Sequence, residues 1–381
     1  MKTSRISVAA LMIVGLGYMS SCQYEGLNKN TPKPKSTDGT DQKELAPQVQ
    51  FNDKQFNPHS DVTPSARGAN NKTALYLAGS FIYWQSSFSN RTIAGRLQNP
   101  SQSAQKFKLV SLDTQYDPGF KLGIGCNFQR DVWDLFLNWT WLDSDVTTKA
   151  HTHTPKFATL LGSFGLGNNA QVFLAGKVEG HWDFDFNSLD LELGRNFYIS
   201  KYISCRPYAG LKSAWIRDSL KVVYKDAVAD SGGRGGGSIP VQTPVVGHYR
   251  DHRFGVGPRV GLNSRWVLGQ CNVAFLANIA GSVLWEEFNP HANVDFIDPT
   301  TGNPPSIARI TAHQQNLVPV AEVFLGFDWG RSFNENFYLN LSAGYEMQYF
   351  WDQIKTVSFA GFEPENALNL HGLTATLRMD F

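Results

Sequence analysis

From Ala74 to the C-terminus, apolar and polar residues alternate with a period of two. The clearest run spans residues 119–128, where large apolar side chains occupy every second position. Because alternate side chains of a β-strand point to opposite faces, each such run predicts a strand with one apolar face. Further runs of this kind cover residues 133–141, 189–194, 205–212, 253–262, 272–283, 321–329, 339–347 and 373–381.

These runs predict about ten strands, or twelve if the long loops hide a further hairpin. After the N-terminal leader, no segment of the sequence approaches the roughly 18 consecutive apolar residues of a membrane-spanning helix. A chain that crosses a membrane as strands must close into a barrel, because an open edge leaves backbone groups unpaired in lipid. Residues 74–381 are therefore predicted to form a single all-β, antiparallel transmembrane β-barrel.

The lengths of the connections predict the orientation of this barrel. Short turns are expected near Gln129, Ser200, Ser264 and Ser332. Bacterial barrels place short turns in the periplasm and long loops outside the cell. The loops expected outside the cell lie near residues 85–118, 143–175, 219–249, 287–314 and 352–368.

Aromatic residues support a membrane barrel over a soluble sandwich, because amphipathic rings are favoured at both edges of a bilayer. Four outward aromatic residues are expected at the turn end, namely Trp133, Trp329, Phe337 and Phe381. At the loop end the expected outward aromatic residues are Trp141, Trp182, Trp215, Phe254, Trp285, Tyr349 and Trp351.

The N-terminus has the features of an export signal. Lys2 and Arg5 precede a short apolar stretch, which predicts a signal peptide within residues 1–22. Small residues before Cys22 indicate a lipoprotein signal with lipidation at that cysteine, and ordinary cleavage after Gly17 is an equal alternative. Residues 23–73 contain few large apolar side chains and are predicted to form a disordered periplasmic tether.

The overall charge points to no charged partner, because 34 Lys and Arg balance 33 Asp and Glu. This balance argues against nucleic acid. The sequence predicts no enzyme, no cofactor and no metal site. His181 and Asp183 share a strand face in the manner of a base and its orienting carboxylate, but no motif places a nucleophile beside them.

The charged residues assigned to the lumen are expected to line a pore. Acids slightly outnumber bases among them, which predicts weak cation preference. The alternative is that these charges pair across strands and occlude a narrow lumen. The predicted pore-lining residues are Lys121, Asp134, Lys177, Glu179, Asp183, Asp185, Asp190, Glu192, Arg206, Lys212, Arg253, Arg259, Glu322, Asp328, Glu346, Arg378 and Asp380.

Three cysteines, Cys126, Cys205 and Cys271, are expected near the turn end on strands that are not neighbours. Disulfide bonds within one barrel are therefore not expected, because they need a short Cα separation. Intermolecular disulfides remain one interpretation, and free thiols against lipid are the favoured one.

Several short motifs stand out along the predicted barrel, and the most specific is the run from Asp190 to Tyr198. The others are residues 117–120, 123–125, 133–135, 206–212 and 255–259. Together these motifs resemble the pore-forming major outer-membrane-protein family of Legionella and of environmental chlamydiae, over residues 74–381. The resemblance implies an outer-membrane porin and abundant surface antigen.

The expected function is therefore passive diffusion of small hydrophilic solutes and ions through the outer membrane. A structural or adhesive surface barrel with an occluded lumen, and a substrate-specific channel, are the alternatives. The expected partners are outer-membrane lipid, a second copy of the chain in a homo-oligomer, and the barrel assembly machinery. The last of these is expected to read the C-terminal strand, which ends in the aromatic residue Phe381.

Overall fold

A computed structural model of the chain describes residues 74–88, 92–98, 107–128, 133–153, 157–159, 173–200, 202–226, 228–229, 239–240, 244–268, 273–296, 306–311, 313–334, 337–354, 357–358, 361–362 and 366–381. Its strands are β1 (Ala74–Phe88), β2 (Thr92–Leu97), β3 (Phe107–Ser111), β4 (Tyr116–Phe128), β5 (Trp133–His151), β6 (Phe157–Thr159), β7 (Phe173–Ala175), β8 (Lys177–Arg195), β9 (Phe197–Tyr198), β10 (Ile203–Lys225), β11 (Val228–Ala229), β12 (Ile239–Pro240), β13 (Val245–Leu268), β14 (Val273–Phe296), β15 (Ser306–Thr311), β16 (Gln314–Asn334), β17 (Phe337–Ile354), β18 (Val357–Ser358), β19 (Gly361–Phe362) and β20 (Asn366–Asp380). The expected signal peptide and tether, with Cys22, lie outside the described residues, as does Cys271.

Ten of these strands close into an antiparallel barrel, which confirms the predicted fold class and strand number. Their order around the ring is β1, β4, β5, β8, β10, β13, β14, β16, β17 and β20. The last strand pairs back onto the first, with Tyr76 opposite Asp380. Closure gives every barrel strand a hydrogen-bonded neighbour on both sides, as a strand in lipid requires. Among the described residues, no helix is long and apolar enough to span a membrane.

An apolar band surrounds the outside of the barrel. On β13 the outward side chains between Trp266 and Phe254 carry no charge. These two aromatic residues are twelve positions apart, or about 40 Å along a strand, which gives about 30 Å along the membrane normal at a tilt of about 40°. The band therefore matches the apolar thickness of a bilayer.

Aromatic side chains mark both edges of the band, largely at the predicted positions. Trp133 and Phe381 are exposed at the turn end, and Trp215 and Trp285 are exposed at the loop end. Trp182 is an exception, since its side chain is fully buried inside the barrel. Its assignment to the outer face is wrong.

Several barrel strands continue well beyond the loop-end aromatic residues. Parts of the expected loops at 143–175, 219–249 and 287–314 are therefore strand in the structure. The turn expected at Ser264 is also wrong, because Ser264 lies within β13 and pairs with Ala277 of β14. This pair joins two strands of 24 residues each.

The polarity of the two faces inverts above the loop-end aromatic residues. On β8, Leu189, Leu191 and Leu193 face outward in the lower part of the strand. In the upper part the inward positions are apolar, as at Phe184, and the outward positions are polar, as at Asp183. The outer face meets water there, so the apolar residues pack inside instead.

Segments of three connections form a second sheet of six strands, in the order β12, β11, β7, β6, β2 and β3. Ile93 of β2 and Phe157 of β6 are buried in the same apolar core as the upper barrel wall. Tyr224 of β10 ties the sheet to the barrel, because its hydroxyl donates a hydrogen bond of 2.6 Å to the carbonyl of Ile93. We call these six strands the loop sheet.

Candidate functional site

The lower half of the barrel interior contains a layer of charged side chains, here called the charge layer. Eight of the ten barrel strands, all except β1 and β14, supply this layer from inward positions that follow the strand period of two. Its members with at most 9% exposure are Lys121, Asp134, Asp190, Glu192, Arg206, Lys212, Arg259, Arg265, Glu322, Asp328, Glu346 and Asp380. With the exception of Arg265, these residues were predicted from the sequence.

Arg206 joins two acidic residues of the charge layer. Its guanidinium contacts the carboxylate of Asp134 through two nitrogens. It also donates from Nη1 to Oε2 of Glu192 at 2.9 Å. A guanidinium presents several donors in one plane, so it can satisfy two buried carboxylates together.

Two cations and two carboxylates alternate next to this group. Arg259 Nη1 lies 2.9 Å from Asp190 Oδ2 and 3.0 Å from Glu322 Oε1. Lys212 Nζ lies 3.1 Å from Asp190 Oδ1 and 3.2 Å from Glu322 Oε1. These contacts join strands up to three places apart in the ring, so they cross part of the lumen.

A third group connects β4 with β17. Lys121 Nζ lies 2.5 Å from Glu346 Oε1, and the hydroxyl of Thr374 donates to Glu346 Oε2 at 2.9 Å. The Lys121 ammonium also lies 4.6 Å from the ring centre of Trp84. Buried charges are tolerated when each has a partner, and this group meets that condition.

Arg265 was missed from the sequence because a turn was expected at Ser264. The structure places it inside, where its Nε donates to Asp328 Oδ2 at 2.9 Å. Asn340 donates to the same oxygen at 3.0 Å. Residues an even number of positions apart on a strand face the same side. Arg265 follows Arg259 by six residues, so the period of two could have identified it as inward.

A cavity of about 310 Å³ lies among these groups. Tyr76, Lys121, Arg206, Glu322 and Arg378 are among its lining residues. It is large enough for several water molecules, since each occupies about 30 Å³ in the liquid.

Above the charge layer the interior is filled by apolar side chains, here called the apolar plug. Phe186 of β8 and Phe350 of β17 pack with ring centroids 5.8 Å apart. Their strands are five places apart in the ring of ten, so the two rings meet across the full width of the barrel. Leu142, Trp182 and Phe184 are fully buried in the same core.

Acidic side chains at the upper end of the interior were also missed. Asp218 accepts a hydrogen bond of 2.5 Å from the indole nitrogen of Trp182. Asp251 contacts Arg253, which was predicted to face inward and does so. The guanidinium of Arg253 also lies 4.9 Å from the ring centre of Phe288. Glu286, likewise buried, was not predicted either.

Four residues assigned to the lumen lie on the outer face of β8. Lys177, Glu179, Asp183 and Asp185 occupy the same strand face as Leu189, and the alternate positions are buried. Their inward assignment is wrong. The reason is the inversion of polarity along β8, since polar residues mark the inner face only within the membrane.

The outer face of β5 and β8 gathers a cluster of acidic side chains around His181. Its Nδ1 lies 3.4 Å from Asp145 Oδ1, and its Nε2 lies 3.3 Å from Asp183 Oδ1. Asp145 and Asp183 are directly opposite in the register. The sequence paired His181 with Asp183 and missed Asp145, because the contact crosses between strands.

Cys126 and Cys205 are free and partly exposed. Their strands, β4 and β10, are separated by β5 and β8 in the ring. The two cysteines are therefore not on neighbouring strands, as expected from the sequence. Intermolecular pairing stays a prediction.

A model of one protein family, described as the Legionella pneumophila major outer membrane protein precursor, matches residues 69–381. The match covers the whole barrel. No curated protein matches the chain.

Several solved structures are similar to the chain at low sequence identity. The outer membrane protease OmpT from Escherichia coli has a TM-score of 0.39 at 10% identity, over 81% of this chain and 96% of that chain. A major outer membrane protein from Thermus thermophilus has a TM-score of 0.30 at 10% identity, over 80% and 98%. The Pseudomonas putida toluene transporter TodX has a TM-score of 0.21 at 9% identity, over 82% and 90%.

Proposed function

Because this chain belongs to the family of the Legionella pneumophila major outer membrane protein, we propose that it is an outer-membrane barrel with a closed lumen that acts through its cell-surface loops. This is the structural or adhesive role, in which the barrel anchors the loop sheet at the surface. The observation that carries the proposal is the contact of Phe186 with Phe350 across the lumen.

The closure comes from the barrel wall itself. The large side chains of Trp182, Phe184 and Phe186 all project inward from β8 and are fully buried. Removing the loop sheet alone would leave these side chains in the lumen. Passive flow of hydrated solutes therefore requires the apolar core of the wall to open, which costs buried apolar area.

The charge layer supports the same function. A conducting pore needs inward charges that face water and attract mobile ions. Here the inward charges Arg206, Lys212 and Arg259 are each held by carboxylates and are buried. Pairs of this kind stabilise a filled barrel, in agreement with the narrow interior of a barrel of about ten strands.

The proposed orientation places the loop sheet outside the cell and the short turns in the periplasm. The proposal includes no catalytic role. It also assigns the exposed aromatic side chain of Phe381, which directly follows β20, to recognition by the barrel assembly machinery.

Conductance in planar lipid bilayers tests the closed lumen. The full barrel, refolded and shown to be folded by its heat-dependent gel mobility, is expected to give no stable current steps. A variant with Trp182→Ala, Phe186→Ala and Phe350→Ala serves as the opened control and is expected to raise the frequency of current events. Regular ohmic steps from the unaltered protein would overturn the proposal.

A passive pore for small hydrophilic solutes is the second candidate. The cavity of about 310 Å³ inside the charge layer favours it, because polar space already exists in the lower half of the lumen. Under this function the steps would show weak cation selectivity. Blockade of the steps by a single solute would instead identify a substrate-specific channel.

A further inference from the structure

A pocket of about 490 Å³ lies on the outer surface of the barrel at the loop-end aromatic residues. Trp139, Trp215 and Phe254 contribute apolar lining, and Arg217 and His252 contribute polar lining. The rings of Trp215 and Phe254 pack with centroids 5.4 Å apart. The pocket thus has aromatic side chains on one side and polar side chains on the other.

The strand register stacks these residues in rows. Trp215 lies opposite Phe254, and the next outward pair along β10 and β13 is Arg217 opposite His252. Below the aromatic pair, the outward positions of β10 from Ile203 to Ser213 carry no charge. Arg217 is therefore the first outward charge above the apolar band on β10, at the level of lipid head groups.

Basic residues continue upward from this row. Arg250 lies opposite Ser219, and Lys221 lies opposite His248. The side chain of Arg217 is 72% exposed, and its Nη1 is 3.7 Å from Asp185 Oδ2, which is beyond hydrogen-bond distance. These basic side chains are confined to the outer faces of β10 and β13, between acidic residues of β8 and β14 such as Asp185 and Glu287.

We infer that this pocket binds the phosphate-bearing head group of a lipid in the membrane leaflet at the loop end. Arg217, which lines the pocket, contacts the phosphate oxygens, and the ring nitrogens of His252 offer a further donor. Arg250 lies one outward pair above the pocket and contacts the same phosphate from there. The first part of an acyl chain lies on Trp215 and Phe254. The inference rests on the proposed orientation for one point, namely that this leaflet is the outer one.

The composition of the pocket favours a lipid over free phosphate. Asp185 and Glu287 also line the pocket, and their charge opposes a small anion that has no other source of affinity. A lipid adds apolar contact with Trp139 and Trp215, and it is already held at the right depth by the bilayer. Guanidinium groups suit phosphate because they donate two parallel hydrogen bonds.

Native mass spectrometry of the folded full chain in detergent tests the inference, with lipid A bisphosphate as the probe. The unaltered protein is expected to retain one lipid at collision energies that strip phosphatidylcholine. Dephosphorylated lipid A with the same acyl chains is expected to bind at least about tenfold more weakly, because it cannot accept the hydrogen bonds from the charged side chains. The double variant Arg217→Gln/Arg250→Gln should show the same loss for the bisphosphate.

The matched control is Lys149→Gln/Lys177→Gln, which removes the same charge at the loop end. Lys149 and Lys177 lie away from the pocket and contact Glu179 and Asp226 respectively. This control is expected to bind the bisphosphate as the unaltered protein does. An equal loss of bisphosphate binding in both double variants would overturn the inference. So would equal binding of the phosphorylated and dephosphorylated forms of lipid A. Displacement of the bound bisphosphate by inorganic phosphate would overturn it as well, because a free phosphate would then suffice for binding. None of these results depends on whether the lumen conducts.

Discussion

Phe186 of β8 and Phe350 of β17 make an edge-to-face contact, with ring centroids 5.8 Å apart, although their strands stand on opposite sides of the ten-stranded ring. A contact of this kind spans the lumen without help from a loop. Movement of the loop sheet therefore cannot open the barrel unless the wall side chains also change position.

The contact predicts a measurable coupling between the two rings. Phe186→Ala and Phe350→Ala should each lower the free energy of unfolding by about 3–5 kcal/mol, because each leaves a cavity in a filled core. The double variant should lower the free energy of unfolding by about 1 kcal/mol less than the sum of the two single variants, because the interaction between the rings is lost only once. Urea unfolding in lipid vesicles, followed by tryptophan fluorescence, provides the measurement.

The control for this coupling is Phe120→Ala combined with Phe186→Ala. Phe120 lies on the outward face of β4 and packs against Trp139 and Trp141, away from Phe186. These two losses should add to within about 0.5 kcal/mol. Strict additivity in the Phe186 and Phe350 pair as well would show that the rings do not interact across the lumen.

A second prediction concerns the buried ion pair of Lys121 and Glu346. Lys121→Met leaves the Glu346 carboxylate without its cation and should destabilise the barrel by about 3–5 kcal/mol. Adding Glu346→Gln should recover most of this loss, because a neutral amide needs no counter-charge. The same urea titration measures both variants.

The exposed ion pair of Lys149 and Glu179 is the control for the buried pair of Lys121 and Glu346. Lys149 Nζ lies 2.6 Å from Glu179 Oε1, and the lysine side chain is 69% exposed. Lys149→Met should change the free energy of unfolding by less than about 1 kcal/mol. If Lys121→Met had an equally small effect, the charge layer would be solvated and the closed-lumen proposal would lose its second support.

A third prediction concerns the acidic cluster beyond the loop-end aromatic residues. Partial burial raises the pKa of Asp143, and the carboxylates of Asp185 and Asp183 raise it further. A carboxyl with a raised pKa in the folded state favours folding at low pH, and this contribution is lost as the pH rises through that pKa. Asp143→Asn should therefore be more stable than the unaltered barrel at pH 7.

The advantage of Asp143→Asn should disappear as the pH falls below the pKa of Asp143 in the unfolded chain. Unfolding midpoints in urea between pH 3 and pH 8 test this dependence. Asp113→Asn, in the connection between β3 and β4, is a suitable control because it removes one acidic charge outside this cluster. An advantage that stayed constant across the pH range would contradict the electrostatic origin.

A fourth prediction concerns the free thiols of Cys126 and Cys205. Both lie on outward positions within the apolar band, where lipid surrounds them. Envelopes alkylated at once on lysis should therefore show only a monomer in non-reducing gels. A dimer band that disappears in Cys126→Ser or Cys205→Ser would establish intermolecular disulfides instead.

The sequence alone determined the membrane-embedded part of the barrel. Alternation such as that in residues 119–128 depends only on local geometry, because the outer face meets lipid at every strand. The same local rule placed Lys121, Arg206 and Arg259 inside. Strand number and neighbour order followed from the succession of short turns and antiparallel strands.

Only the tertiary structure decided what happens above the band. There the outer face meets water, so apolar side chains such as Trp182 turn inward and charged ones such as Asp185 turn outward. The alternation of apolar and polar residues continues unchanged along the strand, but above the loop-end aromatic residues the apolar face is the inner one, and the alternation itself does not show this change. The contact of Phe186 with Phe350 likewise depends on the diameter of the closed ring, which is a property of all ten strands together.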